Sequence, residues 1–397
     1  MPIRQVQERR RQQLATDMQG GVHHFDPERL RATSKFVDDE YAAKSVVVPP
    51  TIEVREPLPG RLWHDKTSGP GIEREFAARE IQFAATVARC IEHPLLAREM
   101  MLFDEHRMYL DTSIELAYSP GSALPTVARR CAEAIASSAA APFDEQFRDD
   151  TVLISHHEGG HTWGHYLAQS VPRMLLFLEA FPAGKVAVPT WHAEGAPGFG
   201  EALAFYNIPP ERVVPIDAAT VYRFKQAVLL DFLFNFEATA PHPKMLPLLR
   251  SLLPGNNAAP AANAAAFIKR RADASRAIGN ERAVDELMAR HGIQVFGPDE
   301  LPLQAQIDLW QSHDLLIATL GSDLTNMVYA RPGTRVLVLS PHWFGDSFFF
   351  ELSAAVGVRW YELRCGEMVA RDAMEERHSS FNVDVELLDS VLRALLR

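Results

Sequence analysis

Apolar residues recur along this chain in two rhythms. Short runs rich in β-branched residues, bounded by Pro, Gly or polar residues, predict strands at residues 45–48, 152–155, 185–189 and 212–216. Apolar positions three and four apart predict helices over 75–90, 124–139 and 171–181. Residues 219–253 read as two helices broken around 239–243 by the prolines of Pro241-His242-Pro243. The stretch 254–266, PGNNAAPAANAAA, holds nothing to anchor a core and reads as a linker. Beyond it the alternation is cleaner. Strands at 266–269, 294–297, 314–319, 335–339 and 359–363 are separated by helices at 280–291, 303–312, 324–330 and 348–356, and a last helix spans 385–396. Gly292 stands at a C-cap position. Helices alternating with short buried strands predict an α/β protein, its C-terminal part a doubly wound parallel sheet.

A length of 397 residues bounds the chain at two to three domains, and 47% hydrophobic with 23% charged residues is ordinary globular composition. The net charge of −11 argues against duplex nucleic acid as a partner. Cys90, Cys131 and Cys365, odd in number and far apart, predict reduced thiols. With no apolar run near membrane-spanning length and no signal-peptide pattern at the N-terminus, a soluble, cytoplasmic protein is expected. The first 35 residues carry seven basic against four acidic side chains. They read as a solvated tail, or as a weak tether that keeps the protein peripheral at a membrane face. The expected organisation is a basic flexible tail over 1–40, an N-terminal domain over 41–258 and a C-terminal domain over 259–383. A helix over 384–397 is able to pack back on the N-terminal domain.

A doubly wound sheet holds its ligand beyond the carboxyl ends of its strands. Gly321-Ser322-Asp323 falls there, between a buried strand and a helix start. Backbone N–H groups at such a start favour a phosphate, with Ser322, Thr325 and Asn326 adding hydrogen bonds. The alternative is a plain turn at Gly321 with Ser322 or Asp323 capping the helix. Asp323 suits a cap or a sugar hydroxyl better than a diphosphate. The loop after the first C-terminal strand gathers Lys269, Arg270, Arg271 and Arg276, either a diphosphate clamp or a solvated surface.

The C-terminal half resembles glycosyltransferase family 61, on FIKRRADASRAIGNE and GIQVFGPDELPLQAQIDLWQSHDLLIATLGSDLTNMVYARPGTRVLVL, with GHYLAQSVPRMLLFL and NIPPERVVPI upstream. The family includes bacterial capsular-polysaccharide enzymes and plant and animal xylosyl- or N-acetylglucosaminyltransferases. The resemblance runs over about 150–365. It implies two Rossmann-like domains facing a central cleft, the GT-B-type glycosyltransferase fold, with a nucleotide sugar on the C-terminal domain. It further implies inversion at the anomeric carbon without a metal. No cofactor is then expected, only a donor, UDP-linked by expectation, and a glycan or lipid-linked glycan acceptor. Matched positions are His165, Pro172, Arg173, Arg271, Arg276, Asn280, Glu281, Gln306, Gly321, Leu324, Thr325 and Asn326. Three positions depart. Leu320 replaces the histidine of the family's His-Gly-Ala-Gly-Leu turn, Thr162 an asparagine, and Gln169 a glutamate.

The segment ISHHEGGHTWGHYL reads two ways. His157-Glu158-Gly159-Gly160-His161 satisfies the zinc-hydrolase pattern H-E-x-x-H, which needs a helix that two adjacent glycines disfavour. Alternatively the segment leads from a strand into the cleft, and His165, with His161 second, is the base that an inverting transfer requires. His165 could equally be a structural histidine. Arg173, two turns on, is a cleft residue that could hold a carboxylate or the donor, with Gln169 and Gln306 in support. The acidic stretch Asp144, Glu145, Asp149 and Asp150 reads as a solvated turn in preference to a metal site. A non-catalytic sugar-nucleotide-binding relative is the remaining alternative.

Overall fold

The computed structural model describes residues 30–38, 40–68, 74–139, 145–194, 198–253, 264–271, 274–297, 300–370 and 378–397. Most of the expected tail and of the linker therefore lies outside the described residues. The protein is mixed α/β, built on two large sheets.

The C-terminal sheet follows the sequence pattern closely. Its described strands are all parallel neighbours, in the order Gln294–Phe296, Ala265–Ile268, Leu315–Thr319, Arg335–Pro341, Arg359–Cys365 and Leu58–His64. Leu315–Thr319 is buried at every position, as a parallel strand covered on both faces must be. Numbered along the chain, the five C-terminal strands lie 2-1-3-4-5. The order reverses between Ala265–Ile268 and Leu315–Thr319, and the loops leaving those two strands flank the crevice where such sheets bind ligands. The helix Leu303–Ser312 was expected at just these residues, and so was Phe348–Val356.

The sixth strand is a surprise, because Leu58–His64 comes from the N-terminal half. Gly60 is required in it, since a Cβ there would run into the Trp360 carbonyl. Asp65 then locks the strand end by accepting from the backbone N–H groups of Thr67, Ser68 and Gly366.

The N-terminal sheet is mixed. Val221–Leu230, Glu145–Ile154, Lys185–Pro189 and Val213–Ile216 are parallel neighbours. On its other side Val221–Leu230 pairs antiparallel with Thr86–Glu92 and Leu95–Ala97, which open a short meander. Two helix expectations are corrected here. Residues 75–90 fold as Arg79–Phe83 and the start of Thr86–Glu92, where Ile81 and Phe83 point inward and their neighbours outward. That alternation has period two; the helical spacing arose from reading two strands as one segment. The first helix expected in 219–253 is the strand Val221–Leu230, and only Met245–Arg250 is helical.

The tail expectation also ends too late. Arg31–Thr33 already pairs with Arg107–Tyr109, and the Lys35 ammonium reaches Asp231 at 2.8 Å. The terminal helix Val385–Leu395 packs over the C-terminal sheet. Its stripe Leu388, Val391, Leu392 and Leu395 joins Val284, Leu287 and Leu363 in a core over the C-terminal sheet. A separate apolar core runs from Leu153 and Phe177 to Leu316 and Tyr329, so the two sheets share one buried mass. All three cysteines are free thiols, and burial pushes Cys131 up to about 11. No helix among the described residues is long and apolar enough to cross a membrane.

Candidate active site

A cavity of about 250 Å³ opens at the switch point of the C-terminal sheet, where the N-terminal half meets it. Its N-terminal wall is the helical segment that begins at Trp163. There Trp163–His165 is α-helical, Tyr166–Ser170 winds as a π-helix, and Val171–Ala180 returns to α. A π-turn widens the helix and re-aims its side chains, a distortion common at functional sites. Thr162, His165 and Gln169 face the cavity from it. Gly164 lets the segment come close to the opposite wall, because a Cβ there would sit 3.0 Å from Thr325 Oγ1.

His165 is held in one orientation. Its Nδ1 lies 2.9 Å from Gln169 Oε1, so Nδ1–H donates to the amide oxygen and Nε2 keeps its lone pair. Burial lowers the imidazole pKa, against which the Gln169 bond and the negative charge of Asp346 pull upward. His165 is therefore neutral at pH 7. Asp346 lines the same cavity from the loop before Phe348–Val356, with its Oδ1 accepting from the Phe348 N–H.

The opposite wall is cationic. Arg270 and Arg276 line it with His378, Ser275, Ser322 and Thr325. Arg276 is buried and sits at φ +60, a strained backbone for a non-glycine residue. Its Nε donates to the Leu320 carbonyl at 3.3 Å, and its guanidinium lies 4.8 Å from the centre of the Phe344 ring. Arg270 is anchored by Nε to the Ser275 carbonyl at 2.7 Å and lies 3.9 Å from Asp323. Gly321 is extended, and a Cβ there would collide with the Arg270 guanidinium, which explains the glycine by close approach. The helix expected over 324–330 is present as the 3₁₀ helix Ser322–Tyr329, and no side chain caps it. The Thr325 hydroxyl is fully buried without a hydrogen-bond partner among the described residues.

The other expected residues sit elsewhere. Arg271 is exposed and does not line the cavity, while its neighbour Arg270 does. Lys269 pairs with Asp285 at 2.6 Å and with Glu281. Asn280 bonds the backbone of Val383 through both its amide oxygen and its nitrogen, a brace between loop and terminal helix. Asn326 accepts from Trp163 Nε1 and donates to Gln306 Oε1, each at 2.7 Å, and so ties the two walls together beneath the cavity. Arg173 is fully buried, stacked on Phe232 at 4.1 Å, and gives its hydrogen bonds to the carbonyls of Gln169, Ser155 and Leu230. Burial pushes it down to about 9. It braces the histidine segment from behind. Leu320, where the family turn has histidine, is buried in the core.

The zinc-hydrolase geometry is not built. Residues 157–161 form a turn, and the Glu158 carboxylate accepts from Ser113 Oγ and the Ile114 N–H at the start of the Ile114–Tyr118 helix. His161 is exposed, with Nδ1 on the Glu158 carbonyl at 2.8 Å. Among the described residues no group of three or more His, Cys, Asp or Glu is arranged around a metal position. Asp149 and Asp150 pair with Lys225 and Lys185, while Asp144 and the side chain of Glu145 lie outside the described residues.

Residues 163–337, from the first residue of the N-terminal wall through the 3₁₀ helix, match the family model described as Glycosyltransferase 61. The match supports assignment of the chain to glycosyltransferase family 61. No curated protein matches the chain. The family 61 span holds His165, Gln169, Arg270, Arg276, Ser322 and Thr325, and so most of both walls. Tyr118, Asp346 and His378 line the cavity from outside it. Sequence reasoning missed those three because each is brought in by a loop or short helix distant in sequence. The one local signal was Asp346, two residues before a well-predicted helix.

Proposed function

We propose that this family 61 chain is an inverting, metal-independent glycosyltransferase that moves a sugar from a nucleotide-sugar donor to a hydroxyl of a glycan or glycolipid. In this reading residues 41–258 and 259–383 act as the acceptor and donor sides of a GT-B-type enzyme. It serves polysaccharide or glycoconjugate biosynthesis in the cytoplasm, with membrane contact limited to the basic N-terminal tail. One observation carries the proposal: a neutral imidazole with a free Nε2 and two arginines line opposite walls of one cavity.

The chemistry follows from that opposition. His165 Nε2 takes the proton of the acceptor hydroxyl as its oxygen bonds to the anomeric carbon, on the face opposite the diphosphate. The bond from that carbon to the phosphate oxygen breaks, and its electron pair leaves with the diphosphate. Arg270 and Arg276 offset the charge that builds there, and the uncapped N–H groups at Ser322 add to the field. Asp346 favours the imidazolium that forms on His165.

The test is incubation of the purified protein with a panel of nucleotide sugars and glycan acceptors, with and without EDTA, following diphosphate release. Release that depends on acceptor and survives EDTA is expected; failure of every donor to bind overturns the proposal. A non-catalytic donor-binding protein is the second reading, favoured by the burial of Leu320 where the family turn has histidine. It predicts binding without turnover.

A further inference from the structure

A second hollow, of about 660 Å³, lies beside the cavity. The two are joined by an aromatic wall. Tyr118 and Phe348 line the cavity; Phe234 and Phe236 line the hollow. Tyr118 packs on Phe236 with ring centres 4.8 Å apart and on Phe234 at 6.4 Å, and Phe348 packs on Phe234 at 5.9 Å. Large aromatic side chains usually turn inward, yet Tyr118 is 43% exposed here, and Phe36, which lines the hollow, 44%. The lining of the hollow is polar as well, with Gln82 and Glu237 exposed.

We propose that this hollow is an acceptor subsite that seats an oligosaccharide, extending from the hydroxyl under attack at His165 along the aromatic wall. The inference rests on the transferase reading. Sugar rings have one face of C–H bonds and an edge of hydroxyls. The first suits an aromatic face, and the second needs amides and carboxylates at its side. A lipid chain would leave Gln82, Glu237 and the Lys35–Asp231–Arg89 ion cluster desolvated without partners of its own. The volume falls within the usual range for ligand sites, about 300–1,000 Å³. Adjacency to the cavity supplies the reason for an acceptor in particular: Tyr118 and Phe348, which share the cavity with His165, pack directly on Phe236 and Phe234 of the hollow.

The test uses the full chain on an immobilised array of defined oligosaccharides, with UDP binding measured by calorimetry alongside. The wild type is expected to retain a set of oligosaccharides. Phe236→Ala should weaken that binding about tenfold, a stacking contact of roughly 1.4 kcal/mol, while Phe236→Tyr keeps it and UDP affinity stays within about twofold. Gln82→Ala, on the exposed rim where folding is not at risk, should weaken it about threefold. Equal binding by wild type and all three variants overturns the proposal, and so does an array on which nothing binds. Capture by phosphatidylcholine vesicles that depends on Phe236, without glycan binding, overturns it in favour of a lipid. If UDP binds while no glycan does, the subsite falls and the transferase reading stands. If neither UDP nor any nucleotide sugar binds, that reading has failed instead.

Discussion

The two walls of the cavity are built by opposite means. The C-terminal wall stands on loops at the reversal point of a parallel sheet, carries Arg270 and Arg276, and stores strain at Arg276. The N-terminal wall is one helical segment without a cation in the cavity, holding a neutral imidazole on its neighbour Gln169. Positive charge is thus confined to one side and proton transfer to the other. A base beside two guanidinium groups would be driven to still lower pKa and lose the strength to take a proton. Keeping the walls distinct lets each group work at neutral pH.

The comparison breaks most visibly at His165. His165→Asn should lower kcat by about 10² to 10⁴, the usual contribution of a general base, and leave donor affinity unchanged. A matching loss of donor binding would show that the walls are not separate. Arg173→Ala should act on stability instead. It strips hydrogen bonds from three carbonyls around the histidine segment and removes the Phe232 stack. A loss of about 3–5 kcal/mol, read from the denaturation midpoint, is expected. Arg276→Ala, by contrast, should raise the donor Kd by about 10- to 100-fold, the worth of a charge-assisted contact, and also lower kcat at saturating donor, because the same guanidinium offsets charge on the departing diphosphate.

The same asymmetry explains what the sequence made legible. The C-terminal half was readable because each strand is buried on both faces and each helix carries a single apolar stripe, so two distinct periods alternate along the chain. The N-terminal half hides its periods. Arg79–Phe83 and Thr86–Glu92 follow each other so closely that their combined apolar positions imitate a helix. Val221–Leu230, buried at seven of its ten positions, reads equally well as a buried helix. Leu58–His64 could not have been assigned to the distant sheet, because nothing local marks a strand that crosses between halves. At the site, Ser322 and Thr325 were found from the turn at the sheet's switch point and Arg276 from the basic loop, while the family resemblance matched His165, Arg276 and Thr325 and marked Gln169 as a departure. Asn280, Arg173 and Gln306 came with them, although they brace the site without facing its cavity. A motif records which residues recur together; it does not separate those that touch ligand from those that hold them.

The histidines behind the N-terminal wall offer a gentler test by pH. Burial drives His156 down to about 3 and His192 to about 4, and His157 is lowered as well. Each is neutral in the fold and binds a proton more readily unfolded, so stability is full above the unfolded value of about 6.5. It is lost as pH falls below that value, at up to about 1.4 kcal/mol per pH unit for each histidine, until the folded values near 3–4 are reached. Chemical denaturation between pH 7 and 4.5 checks the slope. A flat profile would mean these rings are solvated or paired in solution. In the same window kcat should fall on the acid side as His165 takes its proton, and remain level above neutrality.

The smallest expected effect is the sharpest on geometry. Arg270 and Arg271 are adjacent and chemically identical; the basic loop offered both, and the family resemblance favoured Arg271 as the clamp. In the structure Arg270 lines the cavity, tied to Ser275 and close to Asp323, whereas Arg271 faces solvent. Surface charge changes are worth only a few tenths of a kcal/mol, so Arg271→Ala should move donor Kd by no more than about twofold. Arg270→Ala should move it by about tenfold or more. Measuring both by calorimetry with the same nucleotide isolates the position of the guanidinium from its charge, because the two variants carry the same net charge. Equal losses would mean a diffuse field draws the donor in. A larger loss in Arg271→Ala would turn the loop around and put the clamp back where the family resemblance had it.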